Sequence, residues 1–411
     1  MIQQTQTKQI PKGWKEEPLI ECVEDIIMGQ SPKGESYNSL KKGLPLLNGA
    51  ADIKKTQIIP KKYTTDPKKK SQIGDILVCI RATLGRPVIS DKEYALGRGI
   101  ASIRPNEKKV ISDLIYYWAQ TIENSLRLKS KGTAIIGITK NDFCSMPFFY
   151  PESKKEQTLI VQEIEKQFTR LDSSVKSLKS IKKKLEAYRK AVLSKLIYGD
   201  NKTFPEIISK EKNSMKRGPF GGSLKKEIFV PSGYLVYEQH HPINNDFNFG
   251  RYFINKEKFE EMKAFSVKPG DLLISCSGTI GKIAEIPKEN FKEGIINQAL
   301  LKITLDNSKV LNKYFLNLFQ SQYIQKHLTK ISRGVAIKNV PSVKELKTIK
   351  FPIPTIPEQN IIIQEIESKF SVIDKVEQVL YISLKKAERL RKSILKSAFE
   401  GKLVKMEEAR E

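Results

Sequence analysis

The sequence predicts an α+β fold in which two globular mixed α/β domains are joined by two long antiparallel coiled-coil helices, with an internal pseudo-twofold repeat. Three observations predict this fold: a duplicated helical segment, an apolar stripe along each copy of that segment, and a duplicated β-rich segment. The chain has 411 residues, of which 39% are hydrophobic. That length and composition suffice for at least two separate cores.

The clearest repeat is a helical segment of 44 residues. Glu156–Gly199 recurs as Glu358–Gly401 at an offset of 202 residues without a gap, and 17 of the 44 positions keep the same residue type. Neither copy contains proline, and glycine occurs only at the last position, where a C-terminal cap belongs. A repeat of this length indicates two copies of one structural unit.

Each copy carries apolar residues at steps of three and four, which is the pattern of a coiled-coil seam. The predicted helix-pairing residues are Ile164, Phe168, Leu171, Val175, Leu178 and Leu185 in the first copy and Ile366, Phe370, Ile373, Leu380, Leu384 and Leu390 in the second. At 1.5 Å per residue, such a helix is a rod of roughly 65 Å. We expect the two stripes to bury each other; the alternative is that each is an ordinary core helix of its own domain.

A β-rich segment is also duplicated, at an offset of 196 residues. The matching residues are Gly74, Asp75, Thr83 and Gly85 in the first half and Gly270, Asp271, Thr279 and Gly281 in the second. The first copy predicts a buried strand at Ile76–Ile80, a turn at Leu84–Arg86 and another strand at Val88–Ile89. The two aspartates follow glycine in turns, where capping is the ordinary role of a carboxylate.

These repeats predict the domain boundaries. They are a first globular domain over 1–151, a central long helix over 152–199, a linker and second globular domain over 200–353, a C-terminal long helix over 354–404 and a tail over 405–411. The polar residues 200–215 are predicted to be the linker. The halves agree poorly over the early part of each globular domain, as expected of a protein that binds two different targets through one scaffold.

The chain is strongly basic, with a formal net charge of +26 and a pI near 9.6. Nucleic acid is the first partner that such a charge suggests, although a generally basic surface is the alternative. Four scattered cysteines without a CxxC pair predict reduced thiols in a cytoplasmic protein. The sequence shows no signal peptide, no apolar run long enough to cross a membrane and no set of metal ligands.

The sequence lacks the common catalytic motifs. Ser277–Lys282 suggests a phosphate loop, but Cys276 stands where glycine is required and Ile283 follows the lysine. The sequence contains no zinc-protease motif and no nucleophile elbow. We therefore predict a chain without catalytic residues and without a cofactor of its own.

Several short motifs occur in a specific order along the chain. They are Gly218–Gly221 (Gly-Pro-Phe-Gly), Pro269–Leu273 (Pro-Gly-Asp-Leu-Leu), Gly278–Lys282 (Gly-Thr-Ile-Gly-Lys), Ile356–Gln359 (Ile-Pro-Glu-Gln) and Ala398–Leu403. In this order, and with the duplication, the chain resembles the specificity (S) subunits of type I restriction–modification systems over nearly its whole length. In the first half, Ser153-Lys154-Lys155 replaces the proline-rich run that precedes Glu-Gln.

The resemblance implies two target-recognition domains, each binding one half of a split site in double-stranded DNA. The long helices would fix the spacing of the half-sites and dock two methyltransferase (M) subunits. Those subunits carry S-adenosylmethionine and methylate adenine, and a restriction (R) subunit that uses ATP and Mg can join them. No membrane contact is implied, and none of this chemistry is expected in the present chain.

The DNA-binding candidates are basic or amide side chains in predicted loops. For phosphates they are Lys33, Lys54, Lys55, Arg81, Arg86, Lys216, Arg217, Lys225, Lys226 and Lys282; for base edges they are Asn48, Arg98, Asn244, Asn245, Arg251 and Gln298. Ordinary turn and surface roles remain open for each. Two other functions remain open for the chain: a non-catalytic coiled-coil adaptor that binds RNA or an acidic protein, and an enzyme with an unfamiliar site.

Overall fold

The structure is a computed structural model and describes residues 10–54, 56–130, 137–195, 198–219, 221–331 and 343–404. The chain divides into two compact units, one of Met1–Leu178 with Tyr381–Glu411 and the other of Lys179–Leu380. Both boundaries fall inside long helices. Each unit therefore contains one globular domain, half of the helix that follows it and half of the other helix. The α+β fold class and the internal repeat are confirmed.

The first half of the chain contains twelve described strands and four α-helices. The strands are β1 (Trp14–Pro18), β2 (Val23–Met28), β3 (Tyr37–Asn38), β4 (Leu44–Leu47), β5 (Ile53–Lys54), β6 (Gln57–Ile58), β7 (Lys62–Thr64), β8 (Ile76–Arg81), β9 (Thr83–Ile89), β10 (Ala95–Leu96), β11 (Ile100–Pro105) and β12 (Pro147–Pro151). The helices are α1 (Ser112–Ala119), α2 (Glu123–Lys129), α3 (Lys140–Cys144) and α4 (Lys154–Lys195).

Two four-stranded sheets form the first globular domain. One has the order β2-β11-β8-β9 and is antiparallel; the other has the order β10-β4-β7-β3, with β10 parallel to β4. Strand β8 lies inside its sheet, and all of its residues except Arg81 are buried. A continuous apolar run is what a strand covered on both faces requires.

The hairpin that joins β8 to β9 differs from the prediction. A turn was expected at Leu84–Arg86, but the turn lies at Ala82 and β9 already begins at Thr83. Gly85 and Arg86 have positive φ angles within the strand, where the pairing register with β8 shifts. The glycine therefore forms a β-bulge, whose sequence signal resembles that of a turn.

The two aspartates after glycine are capping residues, as predicted. The Asp75 carboxylate accepts a hydrogen bond from the Gln72 N–H at 2.9 Å and forms an ion pair with Arg104 at 3.2 Å. The Asp271 carboxylate accepts the Lys268 N–H at 2.9 Å. Both carboxylates are buried, so these contacts stabilise the turn before the central strand of each domain.

The second half of the chain repeats this plan with fewer described strands. The strands are β13 (Asp200–Lys202), β14 (Met215–Arg217), β15 (Tyr234–Tyr237), β16 (Phe253–Ile254), β17 (Leu272–Ser275), β18 (Ile283–Glu285), β19 (Gly294–Ile296), β20 (Leu300–Ile303) and β21 (Phe351–Ile353). The helices are α5 (Phe204–Ile207), α6 (His240–Asn244), α7 (Lys256–Glu261), α8 (Asn312–Gln320), α9 (Gln322–Ile331), α10 (Val343–Leu346) and α11 (Ile356–Ala398).

The sheets of the second globular domain have the same strand relationships. The order β14-β20-β17-β18 repeats β2-β11-β8-β9, and β15 is parallel to β19 as β4 is to β10. The predicted linker is folded at its start: Asp200–Lys202 pairs with Phe351–Ile353, and the Phe204 side chain is fully buried. Polar composition suggested a linker, but backbone pairing and one buried aromatic ring attach this segment to the domain.

Candidate nucleic-acid interface and helix pair

A buried glutamine attaches the start of each long helix to the globular domain before it. Gln359 accepts the Leu311 N–H at 2.8 Å and donates to the carbonyls of Lys309 and Pro354 at 2.8 and 2.9 Å. The side chain has no exposed surface, so all three bonds are shielded from water. These bonds fix the direction in which α11 leaves the domain.

Gln157 makes the same three contacts at the start of α4. It accepts the Ile111 N–H at 2.9 Å and donates to the carbonyls of Lys109 and Pro151 at 3.1 and 2.9 Å. The neighbouring Glu156 accepts the indole N–H of Trp14 at 2.7 Å. The glutamine that opens each repeat therefore joins helix and domain, whereas Glu358, the counterpart of Glu156, accepts from the N–H and hydroxyl of Thr355 just before its own helix.

The two long helices contact each other within the first unit. Arg391 of α11 forms an ion pair with Asp172 of α4, and its guanidinium lies 4.0 Å from the ring centre of Phe168. Further along, Ile164 and Ile394 belong to one buried cluster. Residues that come later in α4 lie beside residues that come earlier in α11, so the two segments are antiparallel in this unit.

The same contact recurs in the second unit with the helices exchanged. Arg189 of α4 forms ion pairs with Asp374 and Glu377 of α11, the latter at 3.3 Å, and lies 4.5 Å from the ring centre of Phe370. Phe168, Asp172 and Arg189 correspond to Phe370, Asp374 and Arg391 at the repeat offset of 202 residues. We call this set of arginine, phenylalanine and aspartate the arginine clamp.

Most of the predicted helix-pairing residues are at least partly buried. Ile164, Phe168, Ile366, Ile373 and Leu380 are buried, and Leu171, Val175, Leu178, Leu185, Phe370 and Leu384 are half-buried. Leu390 does not join them, because it is 51% exposed. The small residue Ala387, seven positions after Leu380, takes the buried place instead. Leu390 was therefore wrongly assigned to the seam, and Ala387 was not among the predicted pairing residues.

Three of the DNA-binding candidates come together in the first globular domain. Asn48, Arg81 and Arg98 line one surface cleft of about 530 Å³, and all three side chains are exposed. The Arg98 Nε–H lies 3.3 Å from the hydroxyl of Ser31, a cleft residue that sequence reasoning missed. Two guanidinium groups and an amide facing one open cleft form a suitable surface for phosphates and base edges.

The second globular domain brings together only two of its candidates. Asn245 and Lys282 line a cleft of about 740 Å³ with acidic neighbours, Glu285 and Glu289. The remaining described candidates do not line either cleft. Of these, Lys33, Lys54, Arg86, Lys225, Lys226, Asn244, Arg251 and Gln298 are exposed, and Lys216 and Arg217 are half-buried. Lys55 lies outside the described residues.

Aromatic rings hold two of the basic candidates in place. The Lys216 ammonium lies 5.1 Å from the ring centre of Phe265, and the Arg251 guanidinium lies 4.6 Å from that of Tyr252.

One position in the strand beside the central strand differs between the domains. Ser102 of β11 donates to Asp75, whereas its counterpart Lys302 of β20 is a buried cation. The Lys302 ammonium donates to the Ser266 carbonyl at 2.7 Å inside the domain, and burial lowers the pKa of this lysine, so its role is structural.

The cysteines have no features of reactive thiols. Cys22, Cys79 and Cys276 are buried, and burial raises the pKa of Cys79 and of Cys276 to about 11. Within the described ranges, no group of three or more histidine, cysteine, aspartate or glutamate side chains is arranged to hold a metal ion. None of the helices described above combines the length and apolar character needed to cross a membrane.

Comparison with known proteins agrees with this architecture. A family model of the type I restriction–modification DNA specificity domain matches residues 11–187 and again residues 221–382. A putative type I restriction enzyme specificity subunit of Methanocaldococcus jannaschii, MjaX, is 30% identical over 192 residues, which are 46% of this chain and 44% of that protein. The EcoBI specificity subunit of Escherichia coli is 23% identical over 414 residues, covering 93% of this chain and 85% of that one.

Solved structures share the fold. A chain from a structure of the type I restriction–modification system superimposes with a TM-score of 0.74 at 16% identity, covering 96% of this chain and 99% of that one. The HsdS subunit of Thermoanaerobacter tengcongensis gives 0.54 at 17% identity, covering 97% and 99%. With a family match over both halves, the duplicated helix attachment and the duplicated recognition-type domains, this chain belongs to the type I restriction–modification DNA specificity family.

Proposed function

We propose that this chain is the DNA-specificity subunit of a type I restriction–modification complex and that it binds a bipartite site in double-stranded DNA. Each globular domain would bind one half-site, and the middle base pairs would not be contacted. The chain itself would perform no catalysis. The family match carries no support for the alternative of an adaptor that binds RNA or an acidic protein.

One observation carries the proposal: the two halves repeat their scaffold and differ in their clefts. The glutamine attachment and the arginine clamp recur in both units with the same types of contact. The first cleft is lined by two arginines and one aspartate, whereas the second, at a different place in its domain, is lined by two lysines and two glutamates. A duplicated scaffold with unlike binding surfaces is suited to a target whose two halves differ in sequence.

Helix length supports a split target. A helix of 42 residues such as α4 extends over roughly 63 Å. One turn of DNA is about 34–36 Å, so half-sites one to two turns apart match that length. The arginine clamps, which hold a fixed pairing register within each unit, would keep the spacing constant.

Exposed apolar side chains on α11 support docking of the methyltransferase subunits on the long helices. In the second unit Ile361, Val372 and Val379 are 63%, 61% and 61% exposed, and in the first unit Tyr381 and Ile382 are also exposed. Spacings of 11 and 7 residues place Ile361, Val372 and Val379 along one face of the helix, and exposed apolar side chains that share a face favour an interaction site there. The partner subunits would supply S-adenosylmethionine, and a restriction subunit, where present, ATP and Mg.

The net charge of +26 supports the DNA partner. Phosphate contacts supply affinity that falls with rising salt, because each neutralised phosphate releases counterions. We expect the complex to bind its bipartite site with a steep salt dependence, measured by titration of labelled duplexes at several salt concentrations. An RNA competitor that displaces the DNA at equal concentration would contradict this assignment.

Methylation mapping tests the proposal directly. The chain is expressed with its methyltransferase subunits in a host without related enzymes, and modified adenines are located by sequencing the genome. We expect a single motif made of two defined half-sites separated by unspecified positions. A single uninterrupted motif, or methylation independent of this chain, would overturn the proposal.

A pair of variants tests the docking surface. Val379→Asp places a charge on the apolar face and is expected to weaken methyltransferase association, measured by copurification and by analytical ultracentrifugation. Ser371→Asp adds the same charge at an exposed position on another face of α11 and serves as the matched control. Equal association of both variants would show that the partners dock elsewhere.

A further inference from the structure

Both globular domains place loops at the same edge of their smaller, mixed sheet, beside its one parallel pair of strands. In the first domain β4 and β10 are parallel, and the Gly97 N–H donates to the Leu47 carbonyl at 2.8 Å. In the second domain β15 and β19 are parallel, and the Asn297 N–H donates to the Tyr237 carbonyl at 2.9 Å. The carboxyl ends of parallel strands lie at one edge, so the residues that follow them meet there.

The side chains at this edge differ between the domains. Asn48 follows β4 and Arg98 follows Gly97 in the first domain. Glu238 follows β15 and Gln298 follows Asn297 in the second. Asn48, Arg98 and Gln298 are exposed, and Glu238 is half-buried.

A third strand reaches the same edge in both domains. The Ile80 N–H at the end of β8 donates to the Gly99 carbonyl at 2.9 Å, and the Cys276 N–H after β17 donates to the Ala299 carbonyl at 2.8 Å. The next residues along the chain are Arg81 and Ser277. Ala82 and Gly278 then both adopt a left-handed conformation, with φ of 58° and 64°.

In each domain a buried side chain holds the main chain of the residue that follows the first parallel strand, which is Asn48 in one and Glu238 in the other. The Asn48 N–H donates to the buried carboxylate of Asp52 at 2.8 Å. The Glu238 N–H donates to Nδ1 of the buried His241 at 3.0 Å. A buried side chain a few residues downstream therefore fixes both positions, which is the preorganisation that a specific contact requires.

We infer that this edge is the base-reading site of each domain, with Arg98 contacting a guanine in one half-site and Gln298 an adenine in the other. The inference rests on the proposed function and assigns the specificity-determining residues within it. Arginine donates two hydrogen bonds to O6 and N7 of guanine, and glutamine bonds N6 and N7 of adenine. Asn48 and Glu238 flank these side chains and contact the adjacent base pair.

The second domain distinguishes base contact from phosphate contact. Glu238 and Gln298 carry no positive charge, and a carboxylate is repelled by phosphate. An acidic side chain at a DNA surface gains a favourable contact by accepting a hydrogen bond from the cytosine amino group. The edge of the second domain therefore binds base edges, and its structural equivalence extends the same role to Asn48 and Arg98.

Base selection by variants tests the inference. The full chain in complex with its methyltransferase subunits is incubated with a randomised duplex library, and bound sequences are compared for the wild type, Arg98→Gln and Gln298→Arg. We expect each variant to change the preferred base at one position of one half-site, with roughly 5- to 150-fold loss of discrimination there. The other half-site stays unchanged. Lys54→Gln, a change of an exposed lysine that does not line the first cleft, is expected to lower affinity without changing any preferred base.

The outcomes separate the inference from the proposed function. A wild-type complex that selects no bipartite motif overturns the proposed function. The inference is overturned if the wild-type complex selects a bipartite motif and both variants select the same bases, with only their affinity changed. A thermal unfolding curve matching the wild type confirms that each variant is folded, as expected for two exposed side chains.

Discussion

The buried glutamine at the start of α11 offers the sharpest test of the fold. Gln359→Leu keeps the approximate size of the side chain and removes its amide. The Leu311 N–H loses its acceptor, and the carbonyls of Lys309 and Pro354 lose their donor. Because Gln359 has no exposed surface, water does not replace these bonds without structural opening.

The expected cost follows from the three bonds. A buried N–H left without a partner costs about 1–3 kcal/mol. Each carbonyl that loses a donor adds about 0.5–1.5 kcal/mol. Leucine returns part of this through apolar contact, so we expect a loss of about 2–5 kcal/mol in the free energy of unfolding of the second unit.

Urea denaturation, with hydrogen exchange resolved by peptide, measures this loss. Gln364→Leu is the matched control, because Gln364 lies on the same helix and is exposed. The control is expected to stay within about 0.5 kcal/mol of the wild type. Exchange should increase at the joint between the second globular domain and α11. Equal stability of the two variants would refute the view that this amide attaches the helix to its domain.

Three further changes probe other features. Arg391→Met is expected to destabilise the first unit by about 1–2 kcal/mol through loss of the ring contact and an exposed ion pair, with Asp172→Asn completing a double-mutant cycle in urea. Gly278→Ala is expected to cost about 1–2 kcal/mol in thermal unfolding, because its φ is positive although no atom lies near the added methyl. Burial lowers the pKa of His241, so the unfolded chain protonates first and the second unit should lose stability as pH falls below about 6.5.

Each of these expectations has a contrary result. A zero coupling energy in the cycle would show that Arg391 and Asp172 act independently. A Gly278→Ala protein as stable as the wild type would show that the loop relaxes. For His241, His241→Gln should flatten the difference in urea midpoint between pH 7.5 and 5.5, and an unchanged difference would assign the acid sensitivity to other groups.

The sequence predicted the repeating scaffold because its signals are local and periodic. Seven-residue apolar spacing defines the seam, and glycine-aspartate pairs mark the turns that Asp75 and Asp271 cap. The long helices and the central strands were confirmed for this reason. Leu390 was misassigned because Ala387, a smaller apolar residue, fills the buried position where the helices approach each other.

The equivalence of the residues at the edge of the smaller sheet was harder to predict from the sequence. Asn48 and Glu238 are related by an offset of 190 residues, Arg81 and Ser277 by 196, and Arg98 and Gln298 by 200. Loops of different length separate these positions, so no single alignment brings them into register. Backbone hydrogen bonds establish the equivalence, and they depend on strand pairing between distant segments. Glu238 was therefore missed, although Arg98 and Gln298 were chosen on residue type alone.

The two halves keep the buried side chains that hold the helices and differ at exposed side chains at the edge of the smaller sheet. Gln157 and Gln359 satisfy buried backbone groups that exist in both domains, so no other residue type fits their positions equally well. Arg98 and Gln298 are instead exposed, each after a residue whose N–H bonds the neighbouring parallel strand, and the Arg98 guanidinium contacts the Ser31 hydroxyl. Exchange at such positions costs little stability. A duplicated chain can therefore change the surface that meets its target in one half while the attachment and pairing of both helices stay as they are.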